Sequence, residues 1–201
     1  FSNPTVKLLR SLRDKQHRKR EGRFLAEGLR LLTDARECGR LPEMLVMANV
    51  RDEHPLLAAL VDETEAAGGE VVETSAEILS KITGKDNPQA VLGVFPEFDT
   101  SLAALDRSAA PIWLVAQALR DPGNLGTMLR TGDAVGAGGL ILIDECADPF
   151  SSEAVRASMG AVFTQAIAQA PWSEFIGWLR QGLGQLLAAS LREAGPDRGA
   201  P

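Results

Sequence analysis

The sequence predicts an α/β protein of two successive units, and three observations carry that expectation. Apolar, strand-sized runs such as "AVLGVFP" and "GLILID" alternate with amphipathic helical stretches, the pattern of a parallel or mixed sheet with helices on both faces. No apolar run is long enough for a transmembrane helix, and no signal peptide opens the chain. The alternation breaks once, at "PEFDTSLAALDRSAA" (96–110), whose composition is that of a linker. The expected division is 1–97, a linker over 98–110, and 111–201, with two α/β domains meeting near residue 105.

The elements follow in order. "NPTVKLLRSLRDKQHRKREGRF" begins with an Asn-Pro helix start, and Val6, Leu8, Leu9 and Leu12 make one narrow apolar stripe. "RFLAEG" reads as a strand and leads to a helix through Leu29, Leu31, Leu32 and Ala35, closed by Gly39. "EMLVMAN" is a strand, "HPLLAALVDETEAAGG" a helix with a glycine stop, and "EVVET" a strand. "SAEILSKIT" is a helix with a Ser cap, and "AVLGVFP" is a buried strand. In the second unit "PIWLVAQ" is a strand, 123–136 a helix, "GLILID" a strand, and "SSEAVRASMG" a helix after an Asp-Pro-Phe turn. "FTQAIAQ" is a strand, "PWSEFIGWLRQG" a helix, and "QLLAASL" a last strand.

The formal charge of −6 is unevenly spread. Residues 1–23 hold Lys7, Arg10, Arg13, Lys15, Arg18, Lys19, Arg20 and Arg23 against Asp14 and Glu21, a net of +6, which leaves −12 on the rest. A basic arm on an acidic body points either to a polyanion partner for the arm or to a solvated helix face. Cys38 and Cys146 lie far apart without a second ligand pattern and read as small buried thiols in a reducing cytosol. "GAGG" at 136–139 follows a helix and precedes a strand, the reverse of a dinucleotide loop. Asp144, Glu145 and Asp148 have no histidine nearby and belong to a turn, so no metal is expected.

The stretch "LRDPGNLGTMLRTGDAVGAGGLILID" carries the most chemistry. Pro122 and Gly123 force a turn, and Asn124 is placed as an N-cap. Leu125, Met128, Leu129 and Gly132 form the face that packs on the sheet, leaving Thr127, Arg130 and Thr131 off it. Helical side chains lean toward the N-terminus, so Arg130 can reach back toward Asn124, and Gly126 leaves room there for a ligand. Parallel sheets bind ligands beyond the carboxyl ends of their strands, where this turn lies. A capping Asn and an exposed Arg are the alternative reading of the same residues.

"VAQALRDPGNLGTMLRTGDAVGAGGLILID" resembles the first signature motif of the SpoU (TrmH-like) RNA ribose 2′-O-methyltransferases, of the knotted SPOUT class. "DPFSSEAVRASMGAVF" is similar to the family's next segment, and "REGRFLAEGLRLL" with "DNPQAVLGVF" resembles the small substrate-binding domain of many members. The resemblance spans nearly the whole chain. It implies an L30e-like amino-terminal substrate-binding domain and a carboxy-terminal SPOUT domain, an α/β knot of Rossmann-like architecture. It also implies an S-adenosyl-L-methionine-dependent transfer to a ribose 2′-hydroxyl, on ribosomal RNA ahead of transfer RNA, by a cytoplasmic homodimer paired through its carboxy-terminal domain.

On this resemblance Asn124 and Arg130 match the family's active-site pair. A 2′-hydroxyl is a poor nucleophile, so its developing charge must be stabilised while it is held in line with the methyl group. A guanidinium stays protonated, which favours Arg130 as an electrostatic stabiliser, with Asn124 orienting it or the ribose. Arg156 and Ser158 either line the same cleft, contacting phosphate, or form a plain helix end. RNA contacts are expected from Lys7, Arg10, Arg18, Lys19, Arg20 and Arg23.

The sequence departs from the family at its end. The Gly-Asn-Glu loop and Ser-Leu-Asn helix start that hold the methyl donor in the knot do not occur before "LREAGPDRGAP". A carboxy-terminal domain truncated there, in a chain also trimmed ahead of Phe1, is the expectation, with Ser190 and Leu191 left to edge the donor pocket. The competing reading is a non-catalytic RNA-binding or ribosome-assembly protein of the same fold. A small-molecule α/β enzyme explains neither the basic arm nor the Asn124–Arg130 spacing.

Overall fold

The computed structural model describes residues 3–48 and 54–189, which form two sheets. The first holds β1 (Arg23–Glu27), β2 (Met44–Ala48), β3 (Glu70–Thr74) and β4 (Val91–Pro96) in the order β1-β4-β2-β3. It is mixed: β4 runs antiparallel to both neighbours, and β2 pairs parallel with β3. The second holds β5 (Leu114–Gln117), β6 (Gly139–Ile143) and β7 (Ala166–Ala170), all parallel with β6 in the centre. The unbroken apolar run of β6 fits a central strand, and every one of its residues is buried.

The helices are α1 (Pro4–Ser11), α2 (Lys15–Glu21), α3 (Leu29–Glu37), α4 (Pro55–Ala66), α5 (Ala76–Thr83), α6 (Pro122–Ala134), α7 (Ser152–Ala157), α8 (Ala161–Thr164) and α9 (Trp172–Arg180). Among the described residues no helix is long and apolar enough to cross a membrane.

The amino-terminal segment is a packed part of the fold rather than a free arm. Asn3 caps α1 and Asp14 caps α2, so the expected single helix is two. Leu9 and Leu12 are buried against Leu79, Ile82 and Leu92. Arg18 is 3% exposed: its guanidinium donates to Asp148 Oδ2 at 2.6 Å and to the Leu12 and Arg13 carbonyls. It therefore stands apart from any RNA-facing surface, contrary to expectation. Lys7, Arg10, Lys19 and Arg20 are exposed, and Arg23 pairs with Glu43 at 2.7 Å.

Residues 98–110 are not a loose linker. Leu102 is buried beneath the second sheet, and Phe98 stacks edge-on against Phe24 and Phe150. Arg107 lies over the Trp178 ring and donates to its carbonyl. One core cluster draws on both sheets and joins Phe24 and Phe95 to Phe150 and Phe163.

Other expectations fail for local reasons. Phe163 lies in α8, so β7 starts later than "FTQAIAQ" suggests. Residues 183–189 form no strand, and Leu183 and Leu187 are exposed, because no described strand lies alongside to share hydrogen bonds. Cys38 is exposed at the end of α3, and Cys146 is half-buried.

Gly126 serves packing rather than ligand access. A Cβ there would sit 2.5 Å from the Ala157 Cβ and 2.6 Å from the Ala154 carbonyl, so this glycine lets α7 lie directly on α6. Ser158, 0% exposed, is held in the same layer, donating to the Val155 carbonyl and accepting from the Val162 N–H. It is the C-cap of α7, the plain helix end of the two readings its position allowed, and not a cleft-lining hydroxyl.

Two stability predictions follow from these contacts. Asp148→Ala strands a buried guanidinium and should cost about 3–5 kcal/mol in urea denaturation. A loss under about 1 kcal/mol would show that Arg18 finds water or another partner. Gly126→Ala gains about 1 kcal/mol of helix propensity. It should nonetheless destabilise, because forcing α7 away costs about 1–3 kcal/mol; a stabilised variant would show that the helices separate freely.

Candidate active site

The carboxyl ends of β5, β6 and β7 meet in three loops, and α6 springs from the first. Its N-cap is Asp121, with Pro122 at the first helical position, and the Asp121 carboxylate accepts from the Asn124 N–H at 2.5 Å. Asn124 is thus inside the first turn rather than the cap, and its side chain is exposed and free of that duty. Asp-Pro makes the better cap here because it lets proline take the position that needs no N–H. The Thr127 hydroxyl donates to the Gly123 carbonyl at 2.9 Å.

Leu125, Leu129 and Gly132 face the interior as expected, which leaves Arg130 exposed on the outer side of α6. Neither its guanidinium nor the Asn124 amide forms a hydrogen bond or ion pair with a described residue. Six residues of helix separate them by about 9 Å along the axis and about 120° around it. They do not form a preassembled pair; a ligand touching both would have to span about one and two-thirds turns of α6.

The loops beneath them are strained. Ala118 (φ 52°) and Asp144 (φ 62°) both take left-handed backbone, the first directly after β5 and the second directly after β6. Such conformations in non-glycine residues cost of order 1–3 kcal/mol and cluster at functional sites. The Asp144 carboxylate accepts from Gln117 Nε2 at 2.9 Å and from the Trp172 N–H at 3.0 Å, tying all three loops together. Those two hydrogen bonds, Gln117's first, hold the Asp144 carboxyl below its usual range. Cys146 Sγ accepts from the Leu119 N–H at 3.3 Å, so this thiol braces the turn. Arg120 and Glu145 pair at 2.9 Å across the rim.

Arg156 is exposed on α7, where it faces the first sheet instead of α6. Ser190 and Leu191 lie outside the described residues. Sequence reasoning missed Gln117 and Ala118; a residue's left-handed backbone and a hydrogen bond across 27 positions leave no local pattern to read.

Comparison with known proteins gives this geometry a family. The MRM3-like substrate binding domain matches residues 3–93, and the SpoU rRNA Methylase family matches residues 111–197. A tRNA/rRNA methyltransferase of Synechocystis is 35% identical over 79% of this chain and 57% of its own length. An AdoMet-bound rRNA methyltransferase from Sinorhizobium meliloti is 42% identical, with a TM-score of 0.81 over 90% of this chain and 66% of that one. The structure of an RNA 2′-O ribose methyltransferase is 30% identical, with a TM-score of 0.70 over 90% of this chain and 67% of that one. The chain spans between about a third and three-quarters of the length of the curated relatives it matches. With both halves matched by family models and the fold shared along nine-tenths of its length, the chain belongs to the SpoU rRNA methylase family.

Proposed function

We propose that this chain belongs to an S-adenosyl-L-methionine-dependent RNA 2′-O-ribose methyltransferase acting on ribosomal RNA. Residues 1–97 hold the RNA and the unit from 111 onward carries out the transfer. The observation that carries this reading is the pair of unengaged polar side chains, Asn124 and Arg130, projecting from α6 beside strained strand ends. An exposed cation with no carboxylate partner is available to a phosphate and to a developing alkoxide. In this role the Arg130 guanidinium stabilises charge on the ribose oxygen as that hydroxyl gives its proton to solvent water and takes the methyl group, and the Asn124 amide fixes the ribose by hydrogen bonds. The exposed cations Lys7, Arg10 and Lys19 supply the phosphate contacts of the first unit, Arg20 being paired with Glu21. Exposed apolar side chains at the far end, Trp172, Leu183 and Leu187, support the pairing of two copies through this region.

The methyl donor, when bound, supplies an electrophilic methyl group. The described residues do not by themselves fit it: Gln117, Asp144 and the Trp172 N–H satisfy one another at the strand ends instead of facing an adenosine. A polypeptide of these 201 residues is accordingly expected to give no measurable heat with S-adenosyl-L-methionine in calorimetry. Micromolar binding would mean that these loops rearrange into a donor pocket unaided.

Arg130→Lys tests the reading directly. Lysine keeps the charge and loses the planar fork, so in the methyltransferase this chain belongs to single-turnover methylation of ribosomal RNA should fall at least about a hundredfold. RNA affinity should change little. A variant with near-normal turnover would reduce Arg130 to a surface residue.

A further inference from the structure

A channel runs along the seam between the two sheets. Two adjoining clefts, of about 300 and about 180 Å³, share Glu27, Leu31, Gln89 and Arg156 and so form one path. β1 and the 85–89 loop make one wall, and α7 makes the other. The two carboxylates in the lining are already engaged. Glu27 accepts from the Lys85 ammonium and the Gln89 N–H, and Asp34 lies 3.6 Å from Arg30. Arg13 and Arg156 line the same path and form no ion pair with a described residue, so the channel offers cations whose charge is uncompensated.

A second observation lies at the channel's edge. Met159 takes a left-handed backbone (φ 51°), although it is not glycine, and its side chain is 58% exposed. The turn is held from behind by Gly160 (φ 97°), where an added Cβ would stand 3.1 Å from the Cβ of Asp34 in α3. Strained backbone thus presents a polarizable thioether to solvent in the cleft that Arg156 also lines.

We propose that this channel takes a single-stranded stretch of RNA, with Arg13 and Arg156 on its phosphates and Met159 against the face of one base. The proposal rests on the RNA reading above and names a path for the strand. A single strand suits such a path because unpaired bases expose both a face and an edge. The side-chain amides of Asn87 and Gln89 offer donors and acceptors to those edges. The path also leads toward the candidate active site. Ser152 lines it, and the adjacent Glu153 Oε1 lies 3.9 Å from where a Cβ on Gly123 would stand, one residue from Asn124.

Fluorescence anisotropy of the whole chain with a labelled random-sequence dodecamer RNA tests this. Arg13→Ala combined with Arg156→Ala should weaken binding at least about tenfold at 0.1 M salt. The slope of log affinity against log salt should drop by about 1.4, at about 0.7 per single-strand phosphate contact. Met159→Gly relaxes the backbone, so its melting temperature should hold or rise while RNA affinity falls about threefold or more. Wild-type binding that all three substitutions leave unchanged overturns the channel and spares the RNA reading. A wild-type chain that binds no RNA even at 0.05 M salt sinks both.

Discussion

Five phenylalanines from separate segments meet between the sheets, and the relation of one half of the molecule to the other depends on them. Phe24 of β1 lies 4.9 Å from Phe150 of the β6–α7 loop, and Phe95 of β4 lies 4.8 Å from Phe163 of α8, with Phe98 closing the cluster edge-on. Each such pair contributes about 0.5–1.5 kcal/mol beyond the area it buries, and together they bind segments of the first half of the chain to segments of the second. The Arg18–Asp148 pair sits on the same seam and adds direction, because Nε and Nη2 of the guanidinium both donate to one carboxylate oxygen, Asp148 Oδ2. A buried pair of this kind gives little net stability but strongly penalises any displacement that separates its members. The halves are thereby held in one orientation, which makes a channel between them a defined surface.

The same rigidity supports strain where α6 begins. Ala118 and Asp144 hold left-handed backbone because their neighbours allow nothing else. The Ala118 N–H donates to the Ile143 carbonyl, the Asp144 N–H to the Ala170 carbonyl, and the Ala147 N–H to the Leu119 carbonyl. Cys146, which the sequence offers only as a buried thiol, closes this network through its sulfur. With the loops fixed from below and α7 pressed onto Gly126 from the side, the first turn of α6 has little freedom. Its outward residues, Asn124 and Arg130, then gain position without being packed themselves.

The strands were legible because an apolar run of five or six residues has few other ways to fold: "GLILI" and "VLGVF" became the buried middles of the two sheets. The outward face of α6 was legible too, since period alone separates Arg130 from Leu125 and Leu129. What failed were assignments that depend on distant partners. Nothing near Arg18 marks it as buried, because its carboxylate is 130 residues away, and a basic helix face otherwise looks uniform. Gly126 reads as open space until α7 is laid against it, and Ser158 as a surface hydroxyl until α8 supplies the Val162 N–H. Residues 96–110 look like a linker by composition, yet Phe98, Leu102 and Arg107 each find a site on a sheet or helix elsewhere. Asn124 was displaced from the cap by a stronger local competitor three residues earlier.

How a chain of net charge −6 can attract a polyanion is answered by which of its cations are compensated. Screening at 0.1 M salt confines the influence of a surface charge to about 10 Å, so local pairing outweighs the total. Within residues 1–23, Arg18, Arg20 and Arg23 are engaged by Asp148, Glu21 and Glu43, which removes three of the eight cations from consideration. Lys7, Arg10, Arg13, Lys15 and Lys19 remain, and the first three line one face of the α1–α2 corner. The nearby Asp14 carboxylate is occupied by His17 and by helix N–H groups, which hold its carboxyl below the usual range. Arg13 belongs both to that face and to the channel along the seam, so the positive surface of the amino-terminal segment turns the corner and continues toward Arg156. The remaining acidic charge lies elsewhere, on surfaces such as the outward edge of β3 with Glu70 and Glu73. A strand of phosphates approaching this protein therefore meets uncompensated cations along that path and exposed carboxylates at the edge of β3. That contrast aligns a flexible substrate before any base is read.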